Sequence, residues 1–334
     1  MDELLNNKID KMNLIELHIH LDGALSVDNC RKIAKIQNID IPKDDNEILN
    51  KMVAPTDCHD LNEFLTCFKF ANSLLQTPIG IKNAIKNLQE ELIAQGIIYA
   101  EIRFAPQLHT EVVSQEEIVK SAIEGLSLSK LKCNLILCCI RNDKNQEMNL
   151  EIVRIAKKYL GKGVCAIDLA GAEGIFKTKD FKYIFDYAKQ LNVPYTIHAG
   201  EADGPISVFD AISFGAKRIG HGVRSFEDKE LVNLIIEKGI TLEICPTSNI
   251  CTAIYKKISD MPIKEFLKSG VNITINTDDP TVCNTNLKKE LKLIANIFNL
   301  SYDDIVKLEL NAVEAAFINQ NLKNELIERI KKSN

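Results

Sequence analysis

The stretch 271–280, "VNITINTDDP", is a β-branched run that ends in two adjacent aspartates and a proline. Strands buried on both faces carry nearly continuous apolar residues, and carboxylates are rarely buried without partners. The stretch is therefore either a solvated turn or a strand whose carboxyl end meets something positive. Seven more short apolar runs precede it: 14–20 (LIELHIH), 97–104 (IIYAEIRF), 133–140 (CNLILCCI), 164–170 (VCAIDLA), 194–199 (PYTIHA), 217–223 (KRIGHGV) and 240–245 (ITLEIC), with 271–277 as the eighth. Between them lie segments of helical rhythm. Ile81, Ile85, Leu88 and Leu92 share one face and Gly96 follows as a stop, and similar patterns occupy 150–160, 180–191 and 228–238. Strand and helix alternating eight times predicts an α/β chain folded as a (β/α)8 TIM-type barrel. The alternative is a doubly wound open sheet, but no glycine-rich phosphate loop follows any run.

The interval 28–95 is too long for one crossover and predicts extra helices over the barrel mouth. Helices are also expected at 287–298, 301–317 and 320–332, the second opened by a capping box of Ser301 and Asp304. No linker interrupts the pattern, so residues 1–334 read as one barrel domain with a helical insertion. With 46% hydrophobic and 26% charged residues, the composition is that of an ordinary globular protein. A net charge of −5 leaves no electrostatic footprint for nucleic acid or an anionic membrane, which favours a small-molecule partner. The first residues lack a signal-peptide core, and no run approaches the roughly 18 apolar residues of a membrane span, so a cytoplasmic location is expected. The 10 cysteines are scattered through apolar runs without any C-x-x-C, and read as reduced core thiols. Oligomeric state is not legible.

Four of the six histidines stand at the carboxyl ends of predicted strands: His18 and His20 on the first, His198 on the fifth and His221 on the sixth. In a barrel those ends converge on one mouth, so residues distant in sequence share a site. His18 and His20 are two apart and point to one side of their strand. An H-x-H alone is a weak motif, and His198 alone could be a core histidine. With Asp278 ending the eighth run, the set His18, His20, His198 and Asp278 reads as a metal site with room for a water. Imidazole plus carboxylate suits zinc best, one Zn2+ per chain, while iron, cobalt and manganese accept similar ligands. The fourth run ends in "IDLAGAE" with no lysine to bridge two metals. The metal's work would be to lower the pKa of a water for attack on an electrophilic carbon. Glu201, in "HAGE" (198–201), is three residues from a proposed ligand and supplies the missing general acid. His59 and His109 have no matching partners and read as structural or surface residues.

Six motifs, "ELHIHLDGA" (16–24), "DLAGAE" (168–173), "HAGE" (198–201), "RIGHG" (218–222), "CPTSN" (245–249) and "NTDDP" (276–280), together resemble the metal-dependent adenosine/AMP deaminase family, in family order and at similar spacing. The resemblance, which runs from residue 14 to about 317, implies hydrolysis of adenosine or 2'-deoxyadenosine to inosine or 2'-deoxyinosine with release of ammonia, a step of purine salvage. It implies that His18, His20, His198 and Asp278 hold zinc and that Glu201 protonates the purine N1. His221 would orient or deprotonate the attacking water, and Asp279 would hydrogen-bond the attacking oxygen and the substrate. Asp22 and His20 match contacts on the ribose side, and Gly171 matches a backbone contact to the purine. Leu61, Phe64, Leu65 and Phe68, in "LNEFLTCF" (61–68), match an apolar lid helix, although an amphipathic helix packed on the barrel would show the same pattern. Ala172 departs from the acidic residue many relatives carry. "EIRFAP" (101–106) and "DLAG" look more like the adenosine branch than the adenine branch. Rival readings are a deaminase of adenine or a 5'-modified adenosine such as methylthioadenosine, a metal-dependent phosphoesterase or amidase, and a non-catalytic nucleoside-binding barrel.

Overall fold

The computed structural model describes residues 3–332. Its strands are β1 (Leu14–His20), β2 (Ile97–Phe104), β3 (Lys132–Ile140), β4 (Val164–Ala170), β5 (Thr196–Ala199), β6 (Arg218–His221), β7 (Thr241–Ile244) and β8 (Asn272–Ile275). Each pairs in parallel with the next within two four-stranded halves, β1 to β4 and β5 to β8. Single bridges join the halves. At one seam Ile167 bridges Tyr195, and the Ile167 N–H donates to the Pro194 carbonyl at 3.0 Å. At the other, Ile19 bridges Asp278, the His20 N–H donates to the Asp278 carbonyl at 2.8 Å, and the Asp278 N–H donates to the His18 carbonyl at 2.8 Å. The eight strands thus follow chain order around a (β/α)8 barrel, and the β8–β1 seam pins His18, His20 and Asp278 together through the backbone.

Helices clothe the barrel as their apolar rhythm requires. The helix Pro78–Ala94 starts with Pro78 in its first turn and the Thr77 hydroxyl accepting from the Gly80 N–H, and it buries Ile81, Ile85, Leu88 and Leu92. The insertion carries five α-helices, Val27–Gln37, Asp45–Leu49, Leu61–Phe64, Lys69–Leu74 and Pro78–Ala94. The predicted lid segment is not a single α-helix. It is a four-residue α-turn followed by a 3-10 turn, Leu65–Phe68, before helix resumes at Lys69. After β8 come Leu287–Phe298, Tyr302–Ala315 and Gln320–Lys332, and the Ser301–Asp304 capping box forms as expected. Among the described residues no helix is long and apolar enough to cross a membrane.

The barrel interior is more charged than its apolar strands suggest. Arg103 and Arg218 are fully enclosed. Arg103 donates to Asp168 and Glu243 at 2.8 Å each, while Arg218 donates to Glu243 at 2.6 Å and to Glu101 at 2.5 Å. Buried charges persist when paired and hydrogen-bonded. This ladder of alternating charge fills the space beneath the mouth, and its top members, Asp168 and Glu243, are the residues that touch the histidines.

Candidate functional site

The loops at the carboxyl ends of the strands surround a cavity of about 370 Å³. Its walls include His20, Asp22, Leu61, Phe64, Leu65, Phe68, Gly171, His198, Glu201, His221, Asp278 and Asp279. Of the residues given a site role in the sequence only His18 is absent from the lining. It is fully buried just beneath.

At the floor, three imidazoles and one carboxylate converge. The Nε2 atoms of His18 and His20 lie 3.1 and 3.3 Å from Asp278 Oδ1, and His20 Nε2 is 3.3 Å from His198 Nε2. Donor atoms from all four residues fall within 4.8 Å of one another. The far sides of two rings are held by the charge ladder: His18 Nδ1 is 2.7 Å from Glu243 Oε2, and His198 Nδ1 is 2.8 Å from Asp168 Oδ2. A carboxylate on Nδ1 fixes the tautomer that leaves Nε2 as a lone-pair donor and strengthens it as a ligand. His18 Nε2 makes no hydrogen bond although it is buried. Nitrogen lone pairs turned toward one another and a carboxylate are what a cation needs, so these residues fit a metal. A second grouping, His18, His221, Cys245 and Asp278, is also close, but Cys245 Sγ donates to the Glu243 carbonyl at 3.5 Å and His221 Nδ1 is 3.1 Å from Asn249 Nδ2.

Asp278 is held twice more. The Ser248 hydroxyl donates to its Oδ2 at 2.7 Å, and His221 Nε2 stands 3.6 Å from the same oxygen. His221 and Asp278 both occupy the left-handed backbone region, with φ of 60° and 61°, a conformation that L-residues other than glycine adopt at a cost of ~1–3 kcal/mol. Burial would raise Asp278, but His18, His221 and His20 hold its carboxyl well below the usual range. Its neighbour goes the other way. Burial, with Asp278, Asp22 and Glu201 adding like charge, lifts Asp279 well above the usual range, and its Oδ1 has no partner. A Cβ on Gly23 would fall 1.8 Å from that oxygen, so only glycine there leaves Asp279 its position.

Glu201 follows β5. Burial pushes its carboxyl up to about 7, with His221 restraining the rise and Asp278 and Glu173 adding to it. Its loop is clamped by Glu173, which accepts from the N–H groups of Gly200, Glu201 and Asp203 at 2.7, 3.0 and 3.0 Å. His221 Nε2 lies 3.7 Å from Glu201 Oε2; burial would lower this imidazole, but Glu201 and Asp278 hold it above its usual value. Asp22 sits in a 3-10 turn after β1 with its carboxyl raised by burial to about 6. Gly171 follows β4 at φ 101°, a conformation that requires glycine in practice. Ala172, the departure from the family pattern, also lines the cavity. His109 is buried without hydrogen bonds, and burial lowers it to about 3, whereas His59 is exposed outside the site.

Sequence reasoning assigned no role to Asp168, Glu173, Glu243, Ser248 or Asn249, although four of the five fall within or beside the quoted motifs. The signal for Asp168 and Glu243 was a lone carboxylate inside an apolar run. Asn72, Leu108, Ile140 and Arg141, which also line the cavity, carried no pattern that set them apart.

The family model described as adenosine deaminase matches residues 14–333. An adenosine deaminase of Haemophilus ducreyi is 47% identical over 327 residues, covering 95% of this chain and 95% of the relative. Another, of Enterococcus faecalis, is 37% identical over 329 residues and covers 97% of each chain. Among solved structures, an adenine deaminase from Arthrobacter aurescens superposes with a TM-score of 0.87 at 25% identity, over 96% of this chain and 98% of that one.

Proposed function

Because the chain belongs to the adenosine deaminase family, a match that spans residues 14–333, we propose that it hydrolyses adenosine and 2'-deoxyadenosine to inosine and 2'-deoxyinosine with release of ammonia. The observation that carries this reading is the convergence of His18, His20, His198 and Asp278 on the cavity floor with Glu201 on the wall beside them. Relatives named adenosine deaminase reach 47% and 37% identity against 25% for the adenine deaminase, which supports the nucleoside over the free base.

His18, His20, His198 and Asp278 would hold one zinc ion, whose donor preference of imidazole nitrogen and carboxylate oxygen they match. When bound, zinc acts as a Lewis acid that lowers the pKa of a water in the site. The protein's own groups do the rest. Glu201, which burial keeps partly protonated near pH 7, donates to N1 of the purine and withdraws electrons from C6. His221 takes a proton from the attacking water while Asp279 hydrogen-bonds its oxygen, and the new C–O bond forms at C6. His221 then gives its proton to the departing amine, the C6–N bond breaks, and the remaining hydroxyl proton returns to Glu201 as the carbonyl forms. Asp22 and His20 face the ribose, and the Gly171 backbone meets the purine edge. Leu61, Phe64, Leu65 and Phe68 cover the ligand and exclude water.

Ammonia release measured as kcat/KM on adenosine, deoxyadenosine, adenine and methylthioadenosine tests the reading. Adenosine and deoxyadenosine should lead. No ammonia from adenosine would overturn it, and a lead for adenine would move the specificity to the free base.

A further inference from the structure

Arg103, Arg141 and Arg218 are the buried arginines among the described residues. Arg103 and Arg218 each pair with two carboxylates in the charge ladder. Arg141, on the cavity wall just past β3, is held differently. Its Nη1 donates to the Phe176 carbonyl at 2.9 Å, and its Nη2 donates to the Thr178 hydroxyl at 3.0 Å and to the His198 carbonyl at 2.6 Å. The last of these is the backbone of a proposed metal ligand. A guanidinium is costly to bury with only neutral acceptors beside it, and burial does push Arg141 below its usual range. The deamination chemistry set out above gives this cation no role.

The Thr178 hydroxyl is also 2.6 Å from the Ser207 hydroxyl, and Ser207 donates to Glu173 Oε1 at 2.5 Å. A guanidinium can only donate and a carboxylate only accepts. The proton order along the chain is therefore fixed: Arg141 to Thr178, Thr178 to Ser207, Ser207 to Glu173. Glu173 is thus linked to the Arg141 cation through two buried hydroxyls, one after β4 and one in the helix Pro205–Ser213 after β5. The two ends of the chain grip one stretch of backbone. Arg141 holds the His198 carbonyl, and Glu173 holds the N–H groups of Gly200, Glu201 and Asp203. Without the guanidinium at its head, Thr178 is free to accept from Ser207 instead of donating to it, and Glu173 then loses the Ser207 proton.

We infer that Arg141 is a positioning residue for the deamination: through the His198 carbonyl and the Thr178–Ser207–Glu173 chain it sets the backbone of residues 198–203, and with it the place of Glu201 relative to the metal ligands. The effect on rate rests on the deaminase reading, whereas the placement of the backbone does not. Charge alone does not suffice for this work. A lysine ammonium keeps the cation, but it lacks the planar fork that reaches the Phe176 carbonyl, the Thr178 hydroxyl and the His198 carbonyl together. A misplacement of about 1 Å among reacting groups costs on the order of 10²-fold in rate, so a fraction of that shift is enough to slow turnover.

The test compares the parent, Arg141→Lys, Ser207→Ala and the double variant, all metal-loaded, by amide hydrogen exchange across residues 198–203 and by kcat and KM for adenosine. Where Arg141→Lys does not fold, Thr178→Val takes its place, alone and with Ser207→Ala. The N–H groups of Gly200, Glu201 and Asp203 should exchange at least about fivefold faster in each variant, at unchanged metal content. The fall in kcat should be about tenfold for Arg141→Lys and about threefold for Ser207→Ala, with KM moving less than about twofold. Because the residues act as one chain, the double variant should be no slower than Arg141→Lys alone. Exchange at the parental rate, full kcat in Arg141→Lys, a fall in kcat that follows metal loss, or effects on kcat that multiply in the double variant would each overturn the inference. If the parent releases no ammonia from adenosine, the deaminase reading falls, and the exchange rates, which need no substrate, still decide whether Arg141 places this backbone.

Discussion

Glu201→Gln isolates the proposed general acid. The amide has the same shape and can still hydrogen-bond N1, but it cannot transfer a proton there, so the loss should be the contribution of proton transfer, roughly 10²- to 10⁴-fold in kcat. At 1.36 kcal/mol per decade that corresponds to about 3–5 kcal/mol of transition-state stabilisation. The pH profile gives a sharper signature. The acid must enter the reaction protonated, and burial pushes Glu201 up to about 7, so kcat/KM of the parent should fall as pH rises through about 7. His221 must enter neutral to accept a proton, and its pKa is held above the ordinary imidazole value, so the profile should also fall on the acid side. An amide has no titration, so the variant should lose the alkaline limb and keep the acid one. The assay is ammonia release from adenosine between pH 5 and 10 in parallel with metal analysis, which should show no loss of metal from the variant. Activity within tenfold of the parent, or an alkaline limb that survives the substitution, would refute the role of Glu201.

Asp278→Ala should lose the metal, since its Oδ1 lies 3.1 and 3.3 Å from two imidazole nitrogens, whereas Asp279→Ala should keep it and fail in turnover. Equal metal loss from both, read by elemental analysis, would end that division of labour. Glu243→Gln leaves Arg103 and Arg218 facing an amide and releases His18 Nδ1, so stability should fall by about 3–5 kcal/mol and metal affinity by roughly 10- to 100-fold, measured by denaturant unfolding and chelator competition. A variant as stable and as tight as the parent would show that the ladder is not needed. Burial raises Glu309 to about 8, tempered by the hydrogen bond it accepts from the Ile15 N–H, against 4.5 for an ordinary glutamate. The folded chain binds that proton more tightly, so its stabilising effect is fully present below about pH 4.5 and is lost as pH rises to about 8. Glu309→Gln keeps an acceptor for Ile15 and should flatten that part of the stability profile. Identical slopes in parent and variant would contradict it.

How legible the fold was depends on what hydrophobicity reports. The runs at 14–20, 97–104 and 164–170 coincide residue for residue with β1, β2 and β4. In the second half the runs overshoot. The 217–223 run contains β6 at Arg218–His221, and 240–245 contains β7 at Thr241–Ile244. Val223, Ile240 and Cys245 are buried but lie outside the ladder, because burial follows distance from solvent while strand assignment follows backbone hydrogen bonds. The lid segment diverged for a related reason. Leu61, Phe64, Leu65 and Phe68 keep the i, i+3, i+4, i+7 pattern and all reach the cavity, but a 3-10 turn places side chains nearly as a helix would, so periodicity cannot tell the two apart.

The site was legible where chemistry is carried by rare residue types in a repeated position, and illegible where it is carried by common ones. Histidines at strand ends betray a shared mouth because the barrel forces those ends together. Glu173 has no such mark. Its four acceptor contacts, three to backbone N–H groups and one from the Ser207 hydroxyl, exist only because the loop after β4 folds over the loop after β5, a pairing no local pattern encodes. The same holds for Asp168 and Glu243. Each reads as a flaw in an apolar strand until the ring closes, and then each proves to sit between an arginine and a histidine. The opening pair of aspartates resolves in the same terms. Asp278 is drawn to its ionised form by three imidazoles and pinned by the β8–β1 seam, and Asp279, denied such partners, is driven toward its neutral form by burial and by the charge beside it. Adjacent residues of one type are thus pushed toward opposite protonation states by their surroundings, the division that the proposed mechanism needs if one is to hold a cation and the other to hydrogen-bond the attacking oxygen.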